Sequence, residues 1–275
     1  MTQTTLTLND GMQIPQLGFG TWQTPEEKAA AAVAAALAAG YRLIDTASAY
    51  GNETGVGEGI RRSGVPREKI FVTTKLWNSD QGFDETLRAC EESLQRLRLD
   101  AVDLYLIHWP MPRMERYLDS WRALIALKNE GRVRSIGVSN FQISHLQHLL
   151  DETGVVPSVN QIELHPFFQQ RELRAFHAKH GIATESWSPL GQGAALRNDR
   201  VLRIAQKHQK TSAQVVLRWH IDNGLITIPK SVTPARINEN SRVFDFSLDA
   251  EDIALLDVLD SPKGRIGPDP DTADF

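Results

Sequence analysis

The chain is 275 residues long, so a single domain is the default. Its composition, 41% apolar and 23% charged, matches a globular protein, and a net charge of −4 without a basic run argues against a nucleic-acid partner. Cys90 is the single cysteine, which excludes an intramolecular disulfide, and no run of about 18 apolar residues could span a membrane. Met1 to Thr5 carries no positive charge leading into an apolar stretch, so no secretory leader is expected and the cytoplasm is the expected compartment.

In chain order, Leu6-Thr7-Leu8 and Met12-Gln13-Ile14 flank Asn9-Asp10-Gly11, which predicts an N-terminal β-hairpin. Short apolar runs then recur at Leu17–Phe19, Arg42–Asp45, Ile70–Thr74, Val102–Ile107, Val133–Val138, Ser158–Ile162, Ile182–Ser186 and Leu225–Ile228. They are continuous rather than alternating, as parallel strands covered by helices should be. Helices are expected between them. Thr24-Pro25-Glu26-Glu27 offers a cap, a first-turn proline and two acids, the Ala-rich run to Ala39 follows, and Gly40 ends it. Leu87, Cys90, Glu91, Leu94 and Leu97 form a helical stripe, and Thr211 to Gln214 can open a helix that puts Val215, Val216 and Trp219 on one face.

Eight strand–helix units could close into a barrel or spread into a doubly wound sheet. The sheet would need Gly-x-Gly-x-x-Gly after its first strand. Gly18-Phe19-Gly20 is not followed by one, Gly55-Val56-Gly57-Glu58-Gly59 lacks the last glycine in place, and no Gly-Lys-Ser/Thr is present. The expected fold is therefore α/β, a (β/α)8 TIM barrel with an N-terminal β-hairpin, forming one domain over residues 1–275.

Reactive side chains gather at one end of these strands. Asp45 ends the second, Lys75 the third and His108 the fourth; Ser139 and Asn140 follow the fifth, Gln161 the sixth, Trp187 and Ser188 the seventh, and Lys230 and Ser231 the eighth. In a barrel all of these ends meet on one rim. Singly, each has a bland explanation: a capping Asp, a snorkelling Lys, a core His, a packed Tyr50. Their coincidence on successive units is what argues for a pocket. No His-Glu-x-x-His occurs, so no metal is expected, and the pairs His145/His148 and His177/His180 read as surface histidines on polar helix faces. Lys230, Ser231, Val232 and Thr233 lead into a predicted helix over Pro234–Asn240 that carries Arg236, Glu239 and Asn240. Its helix-terminal amides, two hydroxyls and two cations suit an anion.

Six stretches resemble the aldo-keto reductase superfamily along essentially the whole chain: Gly40–Ala47 with Tyr50–Glu53, Lys75–Trp77, Leu106–Pro110, Ile136–Phe141, Asn160–Glu163 and Ile228–Thr233. Asn160–Pro166 and Glu185–Leu190 add a similarity to the bacterial 2,5-diketo-D-gluconic acid reductases. The resemblance implies NADPH lying extended across the rim and a catalytic tetrad of Asp45, Tyr50, Lys75 and His108. Tyr50 would donate the proton, Lys75 would lower its pKa, Asp45 would hold Lys75, and His108 would bond the carbonyl oxygen. It further implies that Ser139, Asn140 and Gln161 bond the nicotinamide carboxamide and that Trp187, a Tyr in many relatives, stacks on its ring. Gly20, Thr21 and Trp22 join the cofactor site, and Ser188 and Leu190 line the pyrophosphate path. Lys230, Ser231 and Arg236, with Val232 and Thr233 beside them, would clasp the 2′-phosphate, and Glu239 and Asn240 would contact adenine. Trp22, Trp77, His108, Trp109 and Gln192 would border the substrate. Met111–Tyr117 and Lys263–Phe275 are shorter than in many animal relatives, which implies an open pocket. Candidate substrates are 2,5-diketo-D-gluconate, methylglyoxal and β-keto esters, reduced by a monomer; the alternative is a cofactor-binding regulatory or structural relative with little turnover.

Overall fold

The computed structural model describes residues 3–275. Gly11 takes φ +87°, a value that costs glycine nothing, and closes the turn between β1 (Thr5–Thr7) and antiparallel β2 (Gln13–Pro15). This hairpin plugs the barrel floor. Leu8 and Ile14 join Leu43, Phe71, Leu104 and Ile226 in an interior cluster. Asp10 accepts bonds from Lys128 Nζ (2.6 Å), Ser135 Oγ (2.8 Å) and Ser158 Oγ (3.1 Å), tying the hairpin to the strand bottoms.

Eight parallel strands follow in chain order, each bonded to the next: β3 (Gly18–Gly20), β4 (Leu43–Asp45), β5 (Phe71–Leu76), β6 (Val102–Ile107), β7 (Val133–Ser139), β8 (Val159–Glu163), β9 (Ala183–Trp187) and β10 (Ile226–Thr227). The seam between β10 and β3 closes through the Leu17–Thr227 bridge, through Thr227 N–H to Gln16 O (2.8 Å) and through Gly20 N–H to Pro229 O (3.1 Å). A Cβ on Gly20 would stand 2.8 Å from Ile228 O, so the seam needs glycine there. The fold is thus the expected (β/α)8 barrel with a separate hairpin. Strand limits differ from the sequence reading by at most two residues at either end, most of all in β5, which runs on to Leu76.

The covering helices are α1 (Glu26–Ala38), α2 (Glu53–Arg62), α3 (Phe83–Leu97), α4 (Tyr117–Asn129), α5 (Ile143–Thr153), α6 (Arg171–His180), α7 (Asp199–His208), α8 (Ser212–Asp222), α9 (Pro234–Asn240) and α10 (Ala250–Asp257). Thr211 caps α8 by accepting from Gln214 N–H, and Val215, Val216 and Trp219 are buried, as the pattern predicts. Thr24 does not cap α1. It belongs to the preceding turn, its N–H donating to Thr21 O and its carbonyl accepting from Asn52 Nδ2. Gly55, Gly57 and Gly59 lie inside α2 rather than in a strand-to-helix turn. A Cβ on Gly57 would fall 2.2 Å from Leu97 O, and one on Gly59 would fall 2.6 Å from Ala30 O, so these glycines let α2 press against its neighbours.

The histidine reading needs correcting at two positions. His145 and His177 are buried, because the helix face that carries them turns toward the barrel. His177 sits between Asn160 Nδ2 (2.9 Å) and Thr184 Oγ1 (2.8 Å), and His145 packs edge-on against Tyr117 and Phe141. His148 is exposed, as expected, and His180 stacks on Phe176.

Candidate active site

Asp45 and Lys75 face the barrel interior from β4 and β5, and both are buried. The Lys75 ammonium spends its three hydrogens on Asp45 Oδ1 (2.7 Å), Thr46 O (2.8 Å) and the Tyr50 hydroxyl oxygen (3.3 Å). Gln161 Nε2 reaches across from β8 to Asp45 Oδ2 (2.8 Å), so each Asp45 oxygen has a donor. Tyr50 ends a 3-10 turn, Ser48–Tyr50, that Ser48 pins by donating to Lys75 O (3.0 Å). Buried Asn52 fixes the same loop, accepting from Thr46 Oγ1 (2.8 Å) and donating to Thr21 O (2.9 Å). His108 follows β6 and meets the Tyr50 ring edge-on at 5.6 Å. The four expected residues therefore form one cluster.

The electrostatics follow from burial and one cation. Burial drives the Tyr50 pKa up, Lys75 pulls it down, and Asp45 pushes it up again; the net direction is upward. Lys75 acts in the expected sense, but removing a phenolate from water outweighs it, so Tyr50 is not a lowered-pKa tyrosine here. Burial would discharge Lys75, yet Asp45 and Tyr50 more than offset that and its pKa rises. For Asp45, burial pushes the carboxyl up against the pull of Lys75. Burial, then the Lys75 charge, holds His108 well below the usual imidazole range, so it is a neutral ring with one N–H to donate.

A cavity of about 440 Å3 opens over this cluster. Its wall holds Gly20, Trp22, Trp77, Trp109, Ser139, Asn140, Gln161, Trp187, Ser188, Gln192 and Lys230 together with Asp45, Tyr50 and His108. Asn140 (φ +64°) and Ser188 (φ +48°), just past the ends of β7 and β9, and Gln192 (φ +49°) in the following 3-10 turn are held in the left-handed region, which turns the chain sharply there. Asn140 Nδ2 donates to His108 O (3.0 Å) and Ser139 Oγ (3.1 Å), and Trp187 Nε1 donates to Asn140 Oδ1 (2.8 Å). Ser139 Oγ donates to Gln161 O (2.8 Å). One amide hydrogen of Gln161 remains for a ligand, along with unused lone pairs on this group.

Other expected residues lie outside the cavity wall. Thr21 is buried behind it, its hydroxyl donating to Asp45 O (3.0 Å), and Leu190 packs toward the outer core. Ser231 is buried and accepts from Thr233 N–H (3.1 Å), while Val232, Thr233 and Arg236 are exposed. Glu239 accepts from Thr211 Oγ1 (3.0 Å) and Asn240 is buried. Lys230 and Arg236 are exposed and enter no ion pair among the described residues.

Residues that the sequence reading missed complete the wall: Ile266, Gly267, Pro268 and Phe275. Glu163 straps this segment down, accepting from Ile266 N–H (2.6 Å) and Gly267 N–H (2.7 Å). Phe275 packs against Trp77 (6.0 Å) and edge-on against Trp109 (5.3 Å). The short tail thus builds part of an aromatic wall of the cavity. No local sequence signal announces Phe275, because its partners lie far along the chain.

Comparison with known proteins agrees with this geometry. The model of the aldo/keto reductase family matches residues 16–261. An aldo-keto reductase of Mycolicibacterium smegmatis is 59% identical over 270 residues, covering 98% of each chain. Methylglyoxal reductase DkgA of Escherichia coli is 53% identical over 270 residues, covering 98% of this chain and 97% of its own. Among solved structures, a Gox0644 mutant in complex with NADPH superposes with a TM-score of 0.97 at 55% identity, covering 100% of both chains.

Proposed function

The chain belongs to the aldo/keto reductase family, and on that premise we propose that it reduces small polar aldehydes and ketones with NADPH, with Tyr50 giving up the proton. The observation that carries this reading is the direction of one hydrogen bond. Lys75 donates to the Tyr50 oxygen at 3.3 Å, which leaves the phenolic hydrogen free for an acceptor in the cavity. Beside it His108 is neutral and has an N–H to offer. A carbonyl oxygen between these two groups would meet two donors where negative charge develops.

The residues present suit NADPH. Lys230 and Arg236, exposed cations that enter no ion pair among the described residues, flank Ser231 and Thr233 in sequence, a donor set suited to a phosphate. Ser139, Asn140 and Gln161 would read the carboxamide, Trp187 would cover the ring, and Gly20, Thr21, Trp22, Ser188 and Leu190 would border the path between them. Glu239 and Asn240 would take the adenine end. When bound, the cofactor supplies a hydride to the carbonyl carbon.

The chain's own residues manage the proton. Tyr50 keeps it at neutral pH because burial disfavours phenolate. As the substrate oxygen becomes an alkoxide, a much stronger base, transfer from Tyr50 becomes favourable, and Lys75 steadies the phenolate that remains. Asp45 keeps Lys75 charged and aimed. Trp22, Trp77 and Trp109 supply apolar walls that limit water, while Gln192 offers a polar contact to a hydroxyl or carboxylate.

Methylglyoxal, 2,5-diketo-D-gluconate and β-keto esters are the substrates we favour, acted on by a cytoplasmic, one-domain monomer. Relatives described as methylglyoxal reductases support the first of these. The test is NADPH oxidation across a panel of aldehydes and ketones. Turnover on dicarbonyls is expected; saturable NADPH binding without turnover on any carbonyl would replace this reading with a regulatory one.

A further inference from the structure

Glu185 takes no part in the chemistry above. It is the middle residue of β9, fully buried, and strand alternation turns it with Ala183 and Trp187 toward the barrel interior. Neither carboxyl oxygen makes a hydrogen bond of ordinary length and angle among the described residues, and the one amide near enough to pull on it is that of Gln161. Its ladder neighbours are Gln161 on β8 and Ile226 on β10. Gln161 gives an amide hydrogen to Asp45, which places Glu185 next to the residue that bridges to the tetrad.

A carboxylate in this position would have lost its water and gained at most the pull of the neighbouring Gln161 amide, which burial outweighs, so the neutral acid is the form the interior tolerates. Burial first, then the Asp45 charge, push the Glu185 carboxyl up to about 8, with Lys75 and then the Gln161 amide working in the opposite direction. The titratable groups lining the interior are few. Asp45 comes from β4, Lys75 from β5, neutral His108 follows β6, Glu163 on β8 is engaged by the Ile266 and Gly267 amides, and Tyr50 stands above them. The interior positions of β3 and β10 are Gly18, Gly20 and Ile226, which carry no charge.

We propose that Glu185 is a positioning residue of the tetrad, held as a neutral acid so that the Lys75 ammonium stays committed to Asp45 and Tyr50. This inference rests on the reductase reading. All three ammonium hydrogens are already placed, so an ionised Glu185 could gain Lys75 only by taking it from Tyr50 or Asp45. A second negative charge also makes Tyr50 a weaker acid, which is the direction in which an ionised Glu185 acts on it. Loss of the Glu185 proton should therefore slow carbonyl reduction in mildly alkaline solution, before Tyr50 itself titrates.

The test is rapid-mixing, single-turnover reduction of methylglyoxal by the NADPH-loaded protein across about pH 6 to 10, for wild type, Glu185→Gln and Glu185→Leu. The wild-type rate should fall about tenfold between pH 7 and 9, the effect of a one-unit rise in the Tyr50 pKa. Relative to its own rate at neutral pH, Glu185→Gln should keep most of its rate at the upper value. Superimposable profiles would overturn the proposal. Infrared difference spectra give a second readout that needs no turnover. Wild type should show the carbonyl stretch of a protonated carboxylic acid at neutral pH that bleaches on alkaline titration and is missing from both variants. Absence of that band in wild type would also overturn the proposal. NADPH fluorescence titration checks that the variants fold, and should one fail, the other completes the comparison. If wild type turns over no carbonyl, the reductase reading fails, while the infrared band still reports whether Glu185 keeps its proton.

Discussion

The Lys75 ammonium lies 2.7 Å from Asp45 Oδ1 and 3.3 Å from the Tyr50 oxygen, so a single cation joins a fixed anion to the proposed acid. Removing the phenolic hydrogen while keeping the ring isolates the acid's contribution. Tyr50→Phe should abolish carbonyl reduction and leave NADPH affinity within about twofold, since general acid catalysis contributes about 10²–10⁴ in rate. Stopped-flow turnover and fluorescence titration measure the two quantities separately. A variant with wild-type turnover would remove Tyr50 as the acid.

Cofactor choice should depend on Arg236. It is exposed and has no ion pair among the described residues, and a bond to a charged group contributes about 1.5–3 kcal/mol. Arg236→Ala should weaken NADPH by about ten- to a hundredfold and barely change NADH. Equal loss of both cofactors in a fluorescence titration would mean that Arg236 does not read the 2′-phosphate.

Gln192 lines the cavity between two glycines and carries the only side-chain amide on that part of the wall named for substrate. Gln192→Ala should raise KM for hydroxylated or carboxylated carbonyls more than for simple aromatic aldehydes. Parallel KM changes for both classes would count against a substrate contact.

Glu163 holds the tail through two backbone amides at 2.6 and 2.7 Å. Glu163→Ala should loosen residues 265–275, seen as faster protease cleavage there, and should raise KM as Phe275 loses its place against Trp77 and Trp109. Unchanged cleavage would show that Phe275 and Ala273 anchor the tail without the strap.

Acid should unfold the protein through its buried imidazoles. Burial above all holds His177 and His220 at about 3, and burial with the Lys75 charge holds His108 well below the usual range. In the unfolded chain each takes a proton near pH 6.5 that the fold refuses, so their contribution is present above that pH and lost as pH falls below it. Each group should cost about 1 kcal/mol per pH unit in this window. Glu185 has the opposite sign: its raised pKa stabilises the fold at low pH, and that stability is lost as pH rises toward about 8. Urea melts should therefore weaken from neutral pH toward about 5, and Glu185→Gln should lose the wild type's decline between about pH 6.5 and 8. A midpoint independent of pH over the acid window would contradict the buried-histidine account.

What the sequence alone determined was whatever depends on local period and turn chemistry. The hairpin at Asn9–Gly11, the eight parallel strands, the Thr211 cap and α9 over Pro234–Asn240 were all legible. So was the set of reactive residues at the strand ends, because a barrel converts position along each strand into position on one rim. Tertiary structure decided whatever depends on what lies across the barrel. The same helical spacing serves a buried His177 and an exposed His148, and only packing separates them. Thr24 looks like a cap until Asn52, distant in sequence, claims its carbonyl. Phe275 enters the pocket through contacts with Trp77 and Trp109, nearly two hundred positions away at the first of them. The net rise in the Tyr50 pKa and the raised pKa of Glu185 follow from desolvation, a property of the closed interior that no stretch of sequence contains.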